Sequence, residues 1–175
     1  IFNLEIKLFP CLVDMRFKGV RVDLEKAQNI KLNLIKREEA LIKKIKDLTG
    51  VEVEIMAARS IAKAFDKLKL PYDRTAKSNE PSFTKNFLQN HPHELPKAIA
   101  EARELNKAHS TFIDSITKHE VNGRIHADIN QIRSDAGGTV TGRFSMSNPN
   151  LQQITARHPE LGPMIRSILK KKKKH

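Results

Sequence analysis

Cysteine and the larger aromatic residues are scarce in this sequence, which has one cysteine, one tyrosine and no tryptophan. A single cysteine cannot form an internal disulfide, so a disulfide-stapled secreted domain is excluded and an intracellular, cytoplasmic location is expected. Cys11 lies in the apolar stretch "LFPCLVDM", which favours a buried side chain over a nucleophile. His91 and His93 have no cysteine or carboxylate beside them in "NHPHELP", so we interpret them as solvated loop residues and predict no metal site.

Long apolar runs are also absent, because no stretch approaches the roughly 20 residues that span a membrane. No membrane partner is therefore expected. The formal net charge is +12, but five of the positive charges are the lysines at 170–174. We interpret residues 170–175 as an added lysine tail, on which alone a membrane-surface function would rest. The remaining basic excess is typical of either a solvated surface or a nucleic-acid partner.

Apolar residues at helical spacing predict two long helices. The first follows Asp23, which can cap it, and ends at Gly50. The second covers 95–116, and we expect the two to pack as an antiparallel pair. His109 falls on the apolar stripe of the second helix, which favours a packed or DNA-facing histidine over a metal ligand. Shorter helices are predicted over 60–68 and 83–89, with "YDRTAKSNEPS" as a polar loop between them.

The pattern changes after "VNG", where apolar and polar residues begin to alternate. In "RIHADINQI" the residues Ile125, Ala127 and Ile129 alternate with polar neighbours, which predicts a half-buried strand. A second short strand is predicted on "GTVTGRF", so that the two strands form a ribbon.

The stretch "GGTVTGRFSMSNPNLQQI", residues 137–154, concentrates glycines, hydroxyls and amides around one arginine. Arg143 can donate to acceptors that all base pairs share in the minor groove, where Asn150, Gln152 and Gln153 can both donate and accept. Gly142 allows close approach of a backbone. A polar loop with a capping arginine explains the same residues equally well, so the residues alone leave both interpretations open.

The stretch "TVTGRFSMSNPNLQQI" resembles the pattern T-x-T-G-R-L-S-S-x-x-P-N-L-Q-N-I-P of family A DNA polymerases, the polymerase I group, in which it leads from thumb to palm. Other segments resemble the family in the same order. "LVDMRFKGVRVD" resembles M-x-x-x-G-V-x-x-D before the first thumb helix, and "ARELNKAHSTFID" resembles Y-R-E-L-x-K-L-x-S-T-Y-I-D on the second. "GRIHADINQ" resembles G-R-I-H-x-x-F-N-Q, and "ARHPELGPMIRSI" looks like the segment before the first catalytic palm motif. Small details resemble phage members.

The resemblance implies roles for individual residues. Arg143 would contact the minor groove at the primer terminus, and Asn150 and Gln152 would touch the template and terminal pair, with Gln153 beside them. Arg103 and Lys107, one helical turn apart, would hold the duplex backbone. The sequence departs from the family pattern at three positions: Gln153 stands in place of Asn, Thr155 in place of Pro and Met146 in place of a second Ser.

The resemblance also implies the fold class and partners. The fold is expected to be mainly α with a small β element, in which long antiparallel thumb helices are followed by a β-ribbon leading into an incomplete palm. The expected segments are a lead-in at 1–22, a helical thumb at 23–118, the ribbon and first palm segment at 119–169, and the tail at 170–175. Primer-template DNA is the expected partner of a monomer. No cofactor is expected in this chain, and dNTP and Mg²⁺ are expected only in the full polymerase.

Catalytic residues are not expected in this chain. Phosphoryl transfer by polymerases uses two metal ions about 4 Å apart, held by carboxylates. The resemblance implies that the first catalytic motif begins a few residues beyond Ile168, where the sequence turns to lysines. We interpret Asp128 and Asp135 as ribbon surface residues rather than displaced ligands. We therefore predict a piece of a DNA-directed DNA polymerase that binds duplex and is inactive alone. The alternative is a non-catalytic helical DNA-binding or replisome interaction module.

Overall fold

A computed structural model describes residues 2–132, 137–155 and 158–170. The helices are α1 (Phe2–Lys18), α2 (Leu24–Thr49), α3 (Ala58–Lys67), α4 (Lys85–Asn90), α5 (Glu94–Asn106), α6 (Asp114–Lys118) and α7 (Leu161–Arg166), with a π-helix at Lys107–Ile113 and a 3₁₀-helix at Leu151–Gln153. The strands are β1 (Val20–Val22), β2 (Asp73–Arg74), β3 (Pro81–Ser82), β4 (Glu120–Val121), β5 (Arg124–Ile125), β6 (Asp128–Asn130), β7 (Ser145–Ser147) and β8 (Leu169–Lys170). The fold is thus mostly helical with small antiparallel sheets, as the sequence predicts.

The chain divides into two compact units. One, which we call the mixed unit, consists of Ile1–Lys31 and Ser110–His175, and the other, the helical unit, consists of Leu32–His109. The predicted segments do not coincide with these units, because β1 near the start of the chain pairs with β5 and β8 near its end. The thumb boundaries expected at 22/23 and 118/119 stay a prediction.

Helix α2 begins and ends where the sequence predicts. Asp23 Oδ1 accepts a hydrogen bond from the backbone N–H of Lys26 at 3.1 Å, which satisfies one of the free amides of the first turn. Gly50 follows the last turn with a φ of 67°, a left-handed conformation that glycine adopts without strain. Ala27, Leu34 and Ile45 are buried along the predicted apolar stripe.

The antiparallel arrangement of the two long helices is present within the helical unit. Arg37 pairs with Glu101 at 3.9 Å, and Lys44 forms a closer ion pair with Glu94. Arg37 precedes Lys44 on α2, whereas its partner Glu101 follows Glu94 on α5, so the two helices run in opposite directions. Beside these helices, the buried Phe65 ring has its centroid 4.8 Å from that of Phe83 and forms the aromatic centre of the core.

The second long helix differs from the prediction in its middle. The run 95–116 is helical, but α5 passes into the π-helix at Lys107 and returns to an α-helix at Asp114. His109 lies in the π-helix, half-buried, with Nε2 2.5 Å from Glu38 Oε2, and Asn106 Nδ2 donates to Glu38 Oε1 at 2.9 Å. The buried Glu38 thus explains the histidine on the apolar stripe, which is a packed residue.

Two loop predictions are wrong in part. The polar loop after residue 71 contains a hairpin, in which β2 and β3 pair antiparallel. His91 and His93 are half-buried capping residues and not solvated ones: His93 Nδ1 accepts from Leu95 N at 3.1 Å at the start of α5, and His91 Nδ1 accepts from His93 N at 3.1 Å. Their ring nitrogens therefore satisfy backbone amides.

The mixed unit is built on a four-stranded antiparallel sheet with the order β4-β5-β1-β8. Asn122 and Gly123 link β4 to β5, and both have positive φ, as the common two-residue hairpin turn requires. Lys170 lies in β8, pairs with Arg21 of β1 and forms an ion pair with Asp23 at 3.0 Å. Lys170 is therefore part of the sheet, while the interpretation of residues 170–175 as an added tail stays a prediction.

The predicted ribbon exists, but its second strand is displaced. Ile125 and Ala127 are buried and Ile129 is half-buried, as the alternation predicts. The partner of β6 is β7, with Ile129 opposite Met146, and not "GTVTGRF". That segment turns instead, because Gly142 has a φ of 70° and Thr139 Oγ1 donates to the carbonyl of Arg143 at 2.6 Å.

Helix α1 was not predicted, and most of its surface is exposed. Leu12 is buried, whereas Phe9 is 60% and Phe17 83% exposed. Cys11 is exposed as well, so its predicted burial is wrong, because apolar neighbours in the sequence lie on an uncovered face of the helix. In the part of the chain that the structure describes, no helix is long and apolar enough to cross a membrane.

Candidate nucleic-acid interface

Arg103 and Lys107 line one shallow groove of the helical unit. The groove has a volume of about 210 Å³, and its other lining residues are Lys85, Leu88, Ala100 and Glu104. Glu104 accepts from Lys85 Nζ at 2.8 Å, so the charge of Lys85 is partly neutralised. Lys107 is exposed, as a residue that contacts phosphate must be. The i, i+4 spacing of the sequence thus places both basic residues on the same surface.

The Arg103 side chain also holds two loops of the helical unit. Its Nε donates to the Ile55 carbonyl at 2.6 Å, and its Nη1 donates to the Phe83 carbonyl at 3.0 Å. Burial lowers the pKa of the Arg103 guanidinium below its usual range, yet arginine stays charged in proteins. A guanidinium has five N–H donors, so these bonds leave donors for a further ligand. The predicted DNA contact of Arg103 stays a prediction.

Arg143 lies in the turn that precedes β7. Its side chain is exposed, and its backbone carbonyl accepts from Thr139 Oγ1. The next carbonyl, that of Phe144, accepts from Gln152 Nε2 at 3.1 Å. Two successive carbonyls, those of Arg143 and Phe144, are therefore held by side-chain hydrogen bonds, while Arg143 itself is exposed.

The predicted amides lie directly after β7. Asn150 caps the 3₁₀-helix, because its Oδ1 accepts from the backbone N–H of Gln152 at 3.1 Å. This bond uses the acceptor of the Asn150 side chain and none of its amide hydrogens. Gln152 and Gln153 are exposed, and Gln153 lines a cavity of about 90 Å³ together with Asn150 and Phe112. The structure thus brings Arg143, Asn150, Gln152 and Gln153 together in the mixed unit, whereas Arg103 and Lys107 belong to the helical unit.

The polar residues of "GRIHADINQ" hold this region to α1. Arg124 Nη1 donates to the Lys18 carbonyl at 2.8 Å, and His126 Nδ1 lies 2.8 Å from the Arg16 carbonyl. These contacts satisfy carbonyl groups at the end of α1 that have no partner within the helix. Further along, Gln131 Nε2 donates to the Glu5 carbonyl at 3.0 Å. The alternating polar residues therefore have defined partners on a helix that the sequence pattern did not predict.

Asp128 and Asn130 connect the same strand to β7, and the sequence analysis missed this role. Asn130 Nδ2 donates to Ser147 Oγ at 3.3 Å, and Asp128 Oδ2 accepts from Asn148 Nδ2 at 2.9 Å. Asp128 is thus a half-buried ribbon residue with bound partners, while Asp135 lies outside the described residues. The period-2 pattern placed Asp128 on the polar face but gave no indication of its partners.

The described residues do not fit a magnesium site. Mg²⁺ prefers oxygen ligands, mostly carboxylates and water. Across residues 2–132, 137–155 and 158–170, no group of three or more His, Cys, Asp or Glu side chains is arranged to hold a metal ion. The Asp128 carboxylate is already bound by Arg16 at 2.5 Å and by Asn148.

The family model for DNA polymerase family A matches residues 24–175, which is most of the chain. The chain belongs to DNA polymerase family A. A DNA-directed DNA polymerase of Pseudomonas phage M6 is 32% identical over 178 residues, which cover 96% of this chain and 26% of that protein. DNA polymerase I of Geobacillus stearothermophilus is 33% identical over 90% of this chain and 18% of that protein. The predicted family and the likeness to phage members are confirmed.

A solved polymerase structure contains a similar fold. The POL domain of Pol1 from M. smegmatis, in complex with DNA primer-template and dNTP, superposes with a TM-score of 0.75 at 22% identity. The match covers 90% of this chain and 27% of that domain. This family A chain therefore spans about a quarter of the length of the polymerases it matches.

Proposed function

We propose that this chain is the part of a family A DNA polymerase that grips the primer-template duplex. The proposal rests on the exposed Arg143, whose own carbonyl and that of Phe144 are hydrogen-bonded, and on the amide side chains of Asn150, Gln152 and Gln153 that follow it. The complex of the M. smegmatis relative with primer-template supports it. In this proposal the helices α2 and α5 form a thumb, and the segment from β6 to α7 is the first part of a palm.

The segment after β7 suits the minor groove because of the way its amides are used. Minor-groove base edges present the acceptors N3 of adenine and O2 of thymine. The side-chain oxygen of Asn150 already accepts a hydrogen bond from the backbone N–H of Gln152. This bond does not use the N–H₂ group of Asn150, which can donate to the acceptors of the base edges. Arg143 and Gln153 add exposed donors beside it. Such contacts test the shape of a base pair and do not read sequence.

The groove of the helical unit suits the phosphate backbone. Lys107 is exposed and carries a compact charge that needs no fixed geometry to bind phosphate. Arg103 can add one of its remaining donors without releasing the two loop carbonyls. Duplex binding by this groove is therefore expected to be electrostatic and dependent on salt.

Nucleotidyl transfer is expected of the full polymerase and is not proposed for this chain. Mg²⁺, when bound in a polymerase, activates the primer hydroxyl and stabilises the leaving oxygen. The described residues hold no ligand set for it, so the chain contributes positioning of the duplex and no step of the chemistry is assigned to its side chains. We expect no primer extension by this chain alone.

The proposal is tested by fluorescence anisotropy of a labelled primer-template duplex over a salt series. We expect Lys107→Ala to weaken binding and to reduce the slope of log K against log salt by about 0.9, the value for one phosphate contact. Lys97→Ala is the matched control, since Lys97 is exposed on α5 but does not line the groove. A variant with alanine at 171–174 measures the contribution of the terminal lysines.

The outcomes separate the interpretations. Binding that persists in the variant at 171–174 and responds to Lys107→Ala supports the gripping role. Loss of all binding in the 171–174 variant would show that the terminal lysines alone attract DNA. Arg103→Ala is not used here, because it would also remove the hydrogen bonds to Ile55 and Phe83 and so change the fold.

A further inference from the structure

The carboxylate of Asp128 joins two parts of the mixed unit that are distant in sequence. Its Oδ1 lies 2.5 Å from Arg16 Nη2 in the last turns of α1, and its Oδ2 accepts from Asn148 Nδ2 at 2.9 Å. Asp128 lies directly opposite Ser147 in the β6–β7 ribbon, so the backbone register brings Asn148 beside it. One side chain therefore connects α1 to the residue that follows β7.

Asn148 has a conformation that needs such support. Its φ is 50°, in the left-handed region that costs a residue with a Cβ about 1–2 kcal/mol. Asparagine tolerates this region better than most residues, especially when its side chain is hydrogen-bonded. The residue two positions on is Asn150, whose side chain caps the 3₁₀-helix that carries Gln152 and Gln153. The direction in which these amides leave the ribbon thus depends on the conformation of Asn148.

Arg16, Asp128 and Asn148 all occupy variable positions of the family patterns. Arg16 is the first x of M-x-x-x-G-V-x-x-D, and Asp128 is the second x of G-R-I-H-x-x-F-N-Q. Asn148 is the second x before P-N-L-Q. The family patterns therefore do not specify the residues of this connection.

We propose that Asp128 is a positioning residue that holds the Asn150–Gln153 amides in the orientation for minor-groove contact. The inference rests on the proposed function, because it assumes that these amides meet DNA. Asp128 acts through Asn148 and touches no DNA itself. Arg16 neutralises its charge and keeps the carboxylate in place, so that a negative group can lie near the duplex path without repelling phosphates.

Charge and positioning make opposite predictions for this residue. If Asp128 acted only as a negative charge, Asp128→Ala would strengthen binding to a polyanion. If it positions the amides, the same change weakens the contacts with base edges and leaves the phosphate contacts unchanged. A duplex in which adenine is replaced by 3-deazaadenine separates the two effects, because this base pairs normally but lacks the N3 acceptor of the minor groove.

The experiment measures the ratio of the dissociation constants of the full chain for the 3-deazaadenine duplex and the adenine duplex by anisotropy. The terminal lysines affect both duplexes equally, since their phosphates are the same. We expect a ratio of about 3 to 10 for the wild type, as one or two hydrogen bonds imply. Asp128→Ala should reduce the ratio to about 1, and Asp128→Asn, which keeps an acceptor for Asn148, should restore most of it.

Two further variants distinguish loss of the hydrogen bond between Asp128 and Asn148 from general loss of folding. Asn148→Asp places two carboxylates together and should reduce the ratio, whereas the double variant Asp128→Asn/Asn148→Asp reverses donor and acceptor and should restore it. Asp14→Ala is the matched control: it removes a carboxylate of α1 that pairs with Lys18 and should leave the ratio unchanged. Recovery in the double variant cannot arise from general destabilisation.

Failure of the inference and failure of the proposed function give different results. If the wild type shows a ratio near 1, the side chains of residues 150–153 do not contact base edges in the minor groove. The proposed role of these residues then fails together with this inference. If the wild-type ratio is high and Asp128→Ala keeps it, only the positioning role is overturned. If Asp128→Ala and Asp14→Ala increase the affinity for DNA equally and leave the ratio of dissociation constants unchanged, Asp128 affects binding only through its negative charge, and the positioning role is likewise overturned.

Discussion

Arg103 stabilises the junction of two loops with only part of its hydrogen-bonding capacity. The sequence placed it correctly on one surface with Lys107, because helical spacing is a local property. It did not predict the bonds to the carbonyls of Ile55 and Phe83, which are 48 and 20 residues away along the chain. Helical spacing therefore predicts which residues share a surface, but it does not predict contacts with residues that are distant in the chain.

Asp23 gives a prediction for the dependence of stability on pH. The N–H of Lys26 and, to a smaller extent, Lys170 lower the pKa of Asp23 below its usual value of 3.8. A carboxylate with a lowered pKa stabilises the folded state above pH 3.8, and this contribution is lost as the pH falls through the lowered pKa. We expect Asp23→Ala to lower the midpoint of thermal unfolding at pH 7, and the difference from wild type to shrink below pH 3.8.

Asp23→Asn provides the control for this prediction. The amide keeps an acceptor for the N–H of Lys26, so the helix cap remains while the charge is removed. Its midpoint at pH 7 should lie between those of the wild type and Asp23→Ala. A difference between wild type and Asp23→Ala that stays constant down to pH 2 would contradict the role of the ionised carboxylate.

Secondary-structure elements were predictable to the extent that their patterns are local. The ends of α2 followed from Asp23 and Gly50, because a cap needs only its own turn. The π-helix at Lys107–Ile113 was not predictable, because burial of Ile113 and Phe112 fits an α-helical stripe equally well. The sheet was missed because β1 pairs with strands from the other end of the chain, and no short-range pattern records such pairing.

The junction of α1 and the sheet makes a prediction at Gly19. Its φ is 59°, and an added Cβ would lie 2.6 Å from the Ile125 carbonyl oxygen and 2.8 Å from the His126 ring. We expect Gly19→Ala to reduce the free energy of unfolding by about 2–5 kcal/mol, because a left-handed alanine and an overpacked junction both cost energy. Urea denaturation followed by circular dichroism measures this loss.

Gly50 is the matched control for the same substitution. It has a φ of 67°, but an added Cβ there meets nothing within 4 Å. Gly50→Ala should therefore lose only about 1–2 kcal/mol, the cost of the left-handed conformation. Equal losses at the two positions would show that the close approach of Gly19 to β5 contributes nothing to stability.

Across the whole molecule, the division into two compact units predicts how the chain responds to core substitutions. Phe65 is fully buried at the centre of the helical unit, and Ile125 is fully buried in the sheet of the mixed unit. Each truncation to alanine should cost about 2–5 kcal/mol, because it removes apolar contacts and leaves a cavity. We expect Phe65→Ala to reduce the protection of backbone amides from hydrogen exchange mainly within Leu32–His109, since units with separate cores can open separately.

Ile125→Ala supplies the complementary measurement. It should reduce protection in Ile1–Lys31 and in the described residues after Ser110, while the amides around Phe65 keep most of theirs. Helix α2 crosses the boundary between the units, so its protection should fall at its first turns in one variant and at its later turns in the other. If either substitution instead lowers protection evenly along α2 and throughout the chain, the two units unfold as one cooperative structure, and a substitution in the groove at Arg103 and Lys107 would also affect residues 150–153.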